Sequence, residues 1–303
     1  MTKLYLITGF LGAGKTTFLQ QFAWLFVGQK LSILVNEFGK EDVDSQLLKD
    51  LQARLAEIHN GSIFCTCRLE QFEQALMELT AENSDVILVE TSGLSDPTNI
   101  QRILSDPKKF ENVLYMGCIC LADAINFEKV YATAMACKKQ LEVSNVVVLN
   151  KTDLVMNTNE LRKFIEQNHP NVTILETSFG KIPPNWIDTF RQPPSAIGPH
   201  SIQTKDLTIQ SYLVTISETF PVEQLADFLK MFAGETYRIK GFVCLNSKSY
   251  YVDCVEESVK VSACKTGSSP NRIVVLAGQG MHTLSAIQLA IKSFEPFVVS
   301  VES

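Results

Sequence analysis

The segment Gly9-Phe10-Leu11-Gly12-Ala13-Gly14-Lys15-Thr16 constrains this chain more than any other, because it fills every fixed position of the phosphate-binding loop pattern. The apolar run Leu4-Tyr5-Leu6-Ile7 before it predicts a strand. Thr17 to Val27 after it predicts a helix, with Phe18, Leu19, Phe22, Leu25 and Phe26 at helical spacing. Glycines at Gly9, Gly12 and Gly14 let the backbone come close to a ligand, so successive N–H groups, including those of Ala13 and Thr17, can converge on phosphate oxygens. The helix start adds unpaired N–H groups and the positive end of its dipole. Lys15 supplies a mobile charge for the terminal phosphates, and the Thr16 hydroxyl is placed to ligate magnesium.

Beyond that helix, Lys30 to Val35 reads as a strand, so the chain opens with a βαβ unit. Continued alternation of strands and helices predicts an α/β fold with a doubly wound, mostly parallel sheet. Asn36-Glu37-Phe38-Gly39 leaves the second strand at its carboxyl end, where ligands bind in such sheets. The acids Glu37, Glu41, Asp42 and Asp44 there read either as a solvated loop or as magnesium or metal chemistry. Leu47 to Leu55 looks helical, Ala56 to Gly61 reaches a turn, Ser62 to Cys67 is extended or loop, and Arg68 to Ala81 is an amphipathic helix.

The apolar strand Asp85 to Glu90 ends in a carboxylate, and Thr91-Ser92-Gly93 follows. An acid there can hold magnesium or its water, and Gly93 offers a backbone N–H with freedom to move. Asp96-Pro97 has the composition of a helix start. Asn112 to Leu121 is a further buried strand, Tyr131 to Leu141 a helix, and Asn145 to Leu149 a strand that delivers Asn150-Lys151-Thr152-Asp153. The Asp153 carboxylate can accept two hydrogen bonds from the ring N–H and amino group of guanine, a donor pair adenine lacks, which argues for GTP over ATP. The Lys151 stem can lie along the base and Asn150 can brace the loop. A short strand, Val172 to Leu175, leads into Glu176 to Gly180, read as a loop over the base.

Pro183-Pro184, Pro193-Pro194 and Gly198-Pro199 interrupt the pattern. The expected organisation is a nucleotide-binding domain over 1–185, a Pro-rich linker over 186–206 and a smaller α+β domain over 207–303. The last is built from strands at Leu207 to Ser217, Tyr237 to Leu245, Tyr250 to Val255, Ile273 to Leu276 and Phe297 to Val301, with helices at Pro221 to Phe232 and Met281 to Ser293. No catalytic constellation is visible in it. A net charge of -6 provides no bulk basic field for nucleic acid or an anionic membrane, and no apolar run reaches spanning length. The sequence therefore predicts a cytoplasmic protein. Its eight cysteines read as reduced thiols, with Cys118 and Cys120 as core residues of a central strand.

With these motifs in this order, the chain resembles the CobW family of P-loop GTPases, the metallochaperone and cofactor-maturation relatives of the nickel-insertion GTPases. The resemblance is close over about the first 185 residues. It implies GTP contacts at Gly12 to Thr17 and at Asn150, Lys151 and Asp153, magnesium near Thr16, a switch acid at Glu37, and Glu90 with Gly93 as the phosphate-sensing switch. Members of the family carry a Cys-x-Cys-Cys run after an Asn-Gly, where cargo metal binds. Here Asn60-Gly61 is followed by Ser62-Ile63-Phe64-Cys65, so serine and phenylalanine replace two thiols. Cys65 matches, and Cys67, out of register by two, is the second thiol to hand, with Glu37 or His59 to complete a looser site for zinc, cobalt or nickel.

The implied protein is a magnesium-dependent, slowly hydrolysing GTP switch, with no water-positioning glutamine or arginine finger identified. Two branches follow: a metallochaperone for a client metalloprotein, or a GTPase that remodels a metal- or corrinoid-containing enzyme without carrying metal. A small-molecule kinase is the rival from another class. Similar GTPases form nucleotide-dependent homodimers.

Overall fold

The computed structural model describes residues 1–36, 53–58, 66–104, 108, 110–170, 172–190, 209–255, 258–264, 271–278 and 280–302. The chain divides into two compact units, Met1–Lys205 and Asp206–Ser303.

The first unit is built on seven strands: β1 (Thr2–Gly9), β2 (Leu31–Asn36), β3 (Arg54–Ile58), β4 (Val86–Glu90), β5 (Val113–Asp123), β6 (Val146–Asn150) and β7 (Thr173–Glu176). They lie in the order β3-β2-β4-β1-β5-β6-β7, and every pairing is parallel. The chain adds β2, β3 and β4 on one side of β1, then β5, β6 and β7 on the other. The loop leaving β1 therefore sits where the winding changes side, the place at which open α/β sheets bind ligands.

Parallel strands covered on both faces read as continuous apolar runs, and β1 shows why. Its Tyr5 and Ile7 join one buried layer, with Phe18, Leu19 and Phe22; its Leu4 and Leu6 join the other, with Phe72, Leu76 and Cys118. Phe22 lies edge-on to Tyr5 at 5.2 Å and to Phe190 at 5.0 Å. Trp186 and Phe190, placed by the sequence reading in the linker, are thus buried in the core of this unit.

The helices of this unit are α1 (Lys15–Ala23), α2 (Thr66–Ala81), α3 (Thr98–Leu104), α4 (Phe127–Thr133), α5 (Met135–Glu142) and α6 (Asn159–Asn168). Several differ from expectation. Helix α1 stops at Ala23 and passes into a tighter turn over Trp24–Phe26. Arg54 and Leu55, expected at a helix end, begin strand β3, which pairs with β2. Helix α2 begins at Thr66 rather than Arg68. The single helix expected over Tyr131 to Leu141 is two, because Ala134 is extended (φ -118°, ψ 117°) and interrupts the i→i−4 ladder. Helix α6 was not anticipated.

The second unit is a six-stranded sheet: β8 (Ile209–Ile216), β9 (Arg238–Leu245), β10 (Lys248–Val255), β11 (Ser258–Ala263), β12 (Arg272–Gly278) and β13 (Val298–Glu302), in the order β11-β10-β9-β12-β8-β13. Every pairing is antiparallel. Strand β11 escaped the sequence reading. Helices α7 (Val222–Ala233) and α8 (Thr283–Ser293) supply Phe228, Phe232 and Ile287 to a core shared with Ile239, Val243, Ile273 and Val275 of the sheet.

Candidate functional site

At the carboxyl end of β1 the chain turns through left-handed backbone at Gly9 (φ 140°), Gly12 (φ 76°) and Gly14 (φ 92°). At Gly9 a Cβ would stand 2.4 Å from the Leu121 carbonyl oxygen, and at Gly14 2.3 Å from Nδ2 of Asn150. Gly14 then caps α1: its carbonyl accepts the Phe18 N–H at 3.0 Å. The first turn of α1 holds no acidic side chain and no side-chain cap. Its N–H groups and dipole therefore meet no carboxylate of the helix itself, the condition an anion site needs. Lys15 is buried at 8% exposure, and its Nζ donates to the Phe10 carbonyl at 3.1 Å, across the inside of the loop.

Strand β4 delivers Glu90 beside that loop. Its Oε1 accepts from the Thr16 hydroxyl at 2.9 Å, and the carboxylate is 1% exposed. A hydroxyl and a carboxylate held together are hard oxygen ligands, the set that suits magnesium rather than a soft metal. The two residues fit the ion that the phosphate loop implies. Gly93 lies flush on the phosphate loop: a Cβ would be 2.7 Å from the Leu11 nitrogen.

Strand β6 ends in Asn150, 3% exposed, whose side chain is used at both ends. Nδ2 donates to the Ala13 carbonyl at 3.0 Å, and Oδ1 accepts the Gly180 N–H at 3.1 Å. Asn150 thus ties the phosphate loop to the 177–180 loop, the bracing its place in the sequence predicted. Lys151 sits in left-handed backbone (φ 63°), and its ammonium pairs with Oδ2 of Asp123 at the end of β5. Sequence reasoning placed the Lys151 stem along a base and gave Asp123 no role; an acid at the tip of a buried strand, the signal used for Glu90, stands there too. The Asp153 side is exposed, and its N–H donates to the Ser178 hydroxyl at 3.1 Å. Ser178 and Thr152 also share a hydrogen bond at 3.0 Å.

Glu37 and Cys65 lie outside the described residues, as do Glu41, Asp42, Asp44 and His59; Cys67 falls within α2, its side chain undescribed. Among the described residues no group of three or more His, Cys, Asp or Glu side chains converges to hold a metal. Cys118 and Cys120 are core residues. Burial pushes the Cys118 and Cys137 thiols well above the ordinary thiol range and Cys120 to about 12, so all three stay protonated near neutrality and are poor ligands.

Residues 3–176 match the family model of the CobW/HypB/UreG nucleotide-binding domain. The chain belongs to that family. Residues 209–292 match the cobalamin synthesis protein CobW C-terminal domain, so the CobW pattern continues through the second unit. Among CobW-family relatives, the zinc chaperone YjiA of Escherichia coli K12 is 29% identical over 184 residues, 58% of this chain and 58% of that protein. The zinc chaperone YeiR of the same organism is 31% identical over 196 residues, 63% of this chain and 60% of that one. The chain therefore matches about six-tenths of the length of these relatives. The crystal structure of the Zn(II)-bound YjiA GTPase from E. coli aligns over 96% of this chain and 98% of that one, at 18% identity and a TM-score of 0.48.

Proposed function

We propose that this protein is a magnesium-dependent GTP-binding and GTP-hydrolysing switch that assists metal handling by a client protein. The observation that carries the reading is the side chain of Asn150, which holds the phosphate loop and the 177–180 loop in one hydrogen-bonded body with Asp153 exposed beside them. The loop N–H groups and Lys15 bind the phosphates, and Asp153 reads the guanine edge. Thr16 and Glu90 would hold magnesium, which neutralises charge on the β and γ phosphates. Glu37 is proposed as the second switch acid. Family membership supports the switch, and nothing in that match favours the kinase alternative.

The reading is tested by titrating fluorescent analogues of GDP, ADP and non-hydrolysable GTP with magnesium present or absent. Guanine nucleotide should bind at least tenfold tighter than adenine nucleotide, and magnesium should strengthen GTP binding; equal affinities would sink it. Phosphate release from GTP in buffer alone completes the test.

Metal is cargo in this reading. That the relatives YjiA and YeiR are zinc chaperones favours the metallochaperone branch over remodelling of a corrinoid enzyme. Cobalt titration of the reduced protein, read by thiolate-to-cobalt absorption, distinguishes the branches: nucleotide-dependent binding lost in Cys65→Ala supports cargo metal, and no absorption supports remodelling. A nucleotide-dependent homodimer would appear in the same samples by sedimentation.

A further inference from the structure

Helix α5 buries two polar side chains side by side, Lys139 at 9% exposure and Gln140 at 0%. Lysine is almost never buried unless paired, so this helix is not placed by apolar packing alone. Both side chains reach the segment that follows β4. Gln140 Nε2 donates to the carbonyl oxygens of Gly93 at 3.0 Å and Ser95 at 3.1 Å. Lys139 Nζ meets Oδ2 of Asp96 at 2.5 Å, while Oδ1 of Asp96 accepts the Thr98 N–H at 3.0 Å and the Thr98 hydroxyl at 2.7 Å, starting α3.

Thr91 still belongs to the sheet, with its N–H on the Ile7 carbonyl at 3.0 Å and its hydroxyl on Thr8 at 2.9 Å. Beyond it, α5 grips the segment at Gly93, Ser95 and Asp96, and Gly93 touches the backbone of Leu11 in the phosphate loop. The segment lies between the loop that would hold phosphate and helix α5.

Two buried polar atoms in this cluster have no hydrogen-bond partner among the described residues, Gln140 Oε1 and Ser95 Oγ. The amide spends both N–H groups on carbonyls while its own oxygen goes unused, and the neighbouring hydroxyl has a proton to give. Leaving buried polar groups unpaired is costly, so a small shift that brought the Ser95 hydroxyl to Gln140 Oε1 would give both atoms a partner and favour a second arrangement of the segment.

We propose that Gln140, supported by the Lys139–Asp96 pair, is a positioning residue that latches the 93–98 segment against the phosphate loop and sets the rate of γ-phosphate cleavage. This rests on the nucleotide reading of the site. Because the hydrogen bonds of Gln140 go to the carbonyls of Gly93 and Ser95 rather than to a residue proposed to bind nucleotide, its loss should act on kcat and leave nucleotide affinity largely in place.

The test compares the full chain with Gln140→Met, first without nucleotide by hydrogen exchange. Amides in 93–98 should exchange at least tenfold faster in the variant, with β1 and β5 unchanged. With GTP and magnesium, kcat should fall at least tenfold while KM and the Kd for GDP stay within threefold. Unchanged exchange over 93–98, or a loss carried by KM, overturns the proposal. The exchange arm contains no nucleotide, so a wild-type protein that fails to bind GTP refutes the functional reading, and the rate claim with it, while the latch is still scored. Should Gln140→Met fold poorly, Ser95→Ala serves instead. The difference in 93–98 exchange between the forms bound to GDP and to a non-hydrolysable GTP analogue should shrink at least threefold. A wild-type segment that exchanges alike in both forms overturns the proposal as well.

Discussion

Single side chains at this site have narrow tolerances, and they yield the most direct predictions. Asp153→Asn exchanges a charged acceptor for an amide that presents a donor to the guanine N–H groups. Hydrogen bonds to a charged group contribute about 1.5–3 kcal/mol, so GTP affinity should fall roughly 10- to 100-fold, while xanthine nucleotide, which offers a carbonyl where guanine has its amino group, should gain. Competition binding with both nucleotides measures this. Gly14→Ala puts a methyl 2.3 Å from Nδ2 of Asn150 at a φ of 92°. Strain of about 1–3 kcal/mol is expected, with a lower thermal midpoint and loss of nucleotide binding together. At this scale the sequence was most readable where chemistry demands one residue type: Thr16 and Glu90, singled out separately, are hydrogen-bonded to each other, and Asn150 is bonded to the phosphate loop that holds Lys15. Asp123 and Gln140 were not legible. Their partners, Lys151 and the carbonyls of Gly93 and Ser95, are brought to them only by the order of strands across the sheet.

Elements follow from periodicity where one face is buried, and depart from it where a neighbour decides. The buried strands β1, β4, β5 and β6 were plain because parallel strands covered on both faces are apolar throughout. Strand β3 is a sheet edge of five residues, Arg54-Leu55-Ala56-Glu57-Ile58, without a continuous apolar run, and its pairing with β2 rather than its composition makes it a strand. Helix α6 carries Leu161, Phe164 and Ile165 at i, i+3 and i+4, a helical spacing that the sequence reading passed over in a short, mostly polar segment. Helix α1, by contrast, carries the aromatic face that fixes the phosphate loop to the sheet. Phe22→Ala would remove a fully buried ring with aromatic neighbours at 5.0–5.6 Å. A loss of about 3–5 kcal/mol is expected, read from urea midpoints.

Across the whole molecule, buried thiols link stability to pH. Cys118, Cys120 and Cys137 lie in the first unit and Cys254 in the second, where burial again raises the thiol, to about 11. The folded chain keeps these groups protonated, whereas the unfolded chain releases the protons near the ordinary thiol value of about 9. Their contribution is therefore complete below pH 9 and is lost as pH rises toward 11–12. Urea midpoints at pH 8, 9.5 and 10.5 should fall in that order, and Cys120→Ala should flatten the slope. Among the described residues no helix is long and apolar enough to cross a membrane.

Asn150 also acts as a gauge. In the proposed nucleotide site one amide would set the distance between the loop for phosphate and the loop for base, so that a nucleotide would be measured for length as well as read for chemistry. Guanosine alone or pyrophosphate alone should bind feebly, and joining them should yield far more than the two affinities combined, since the second contact becomes intramolecular. Asn150→Ala would slacken the gauge: fragments would bind nearly as before, while the advantage of the intact nucleotide would shrink.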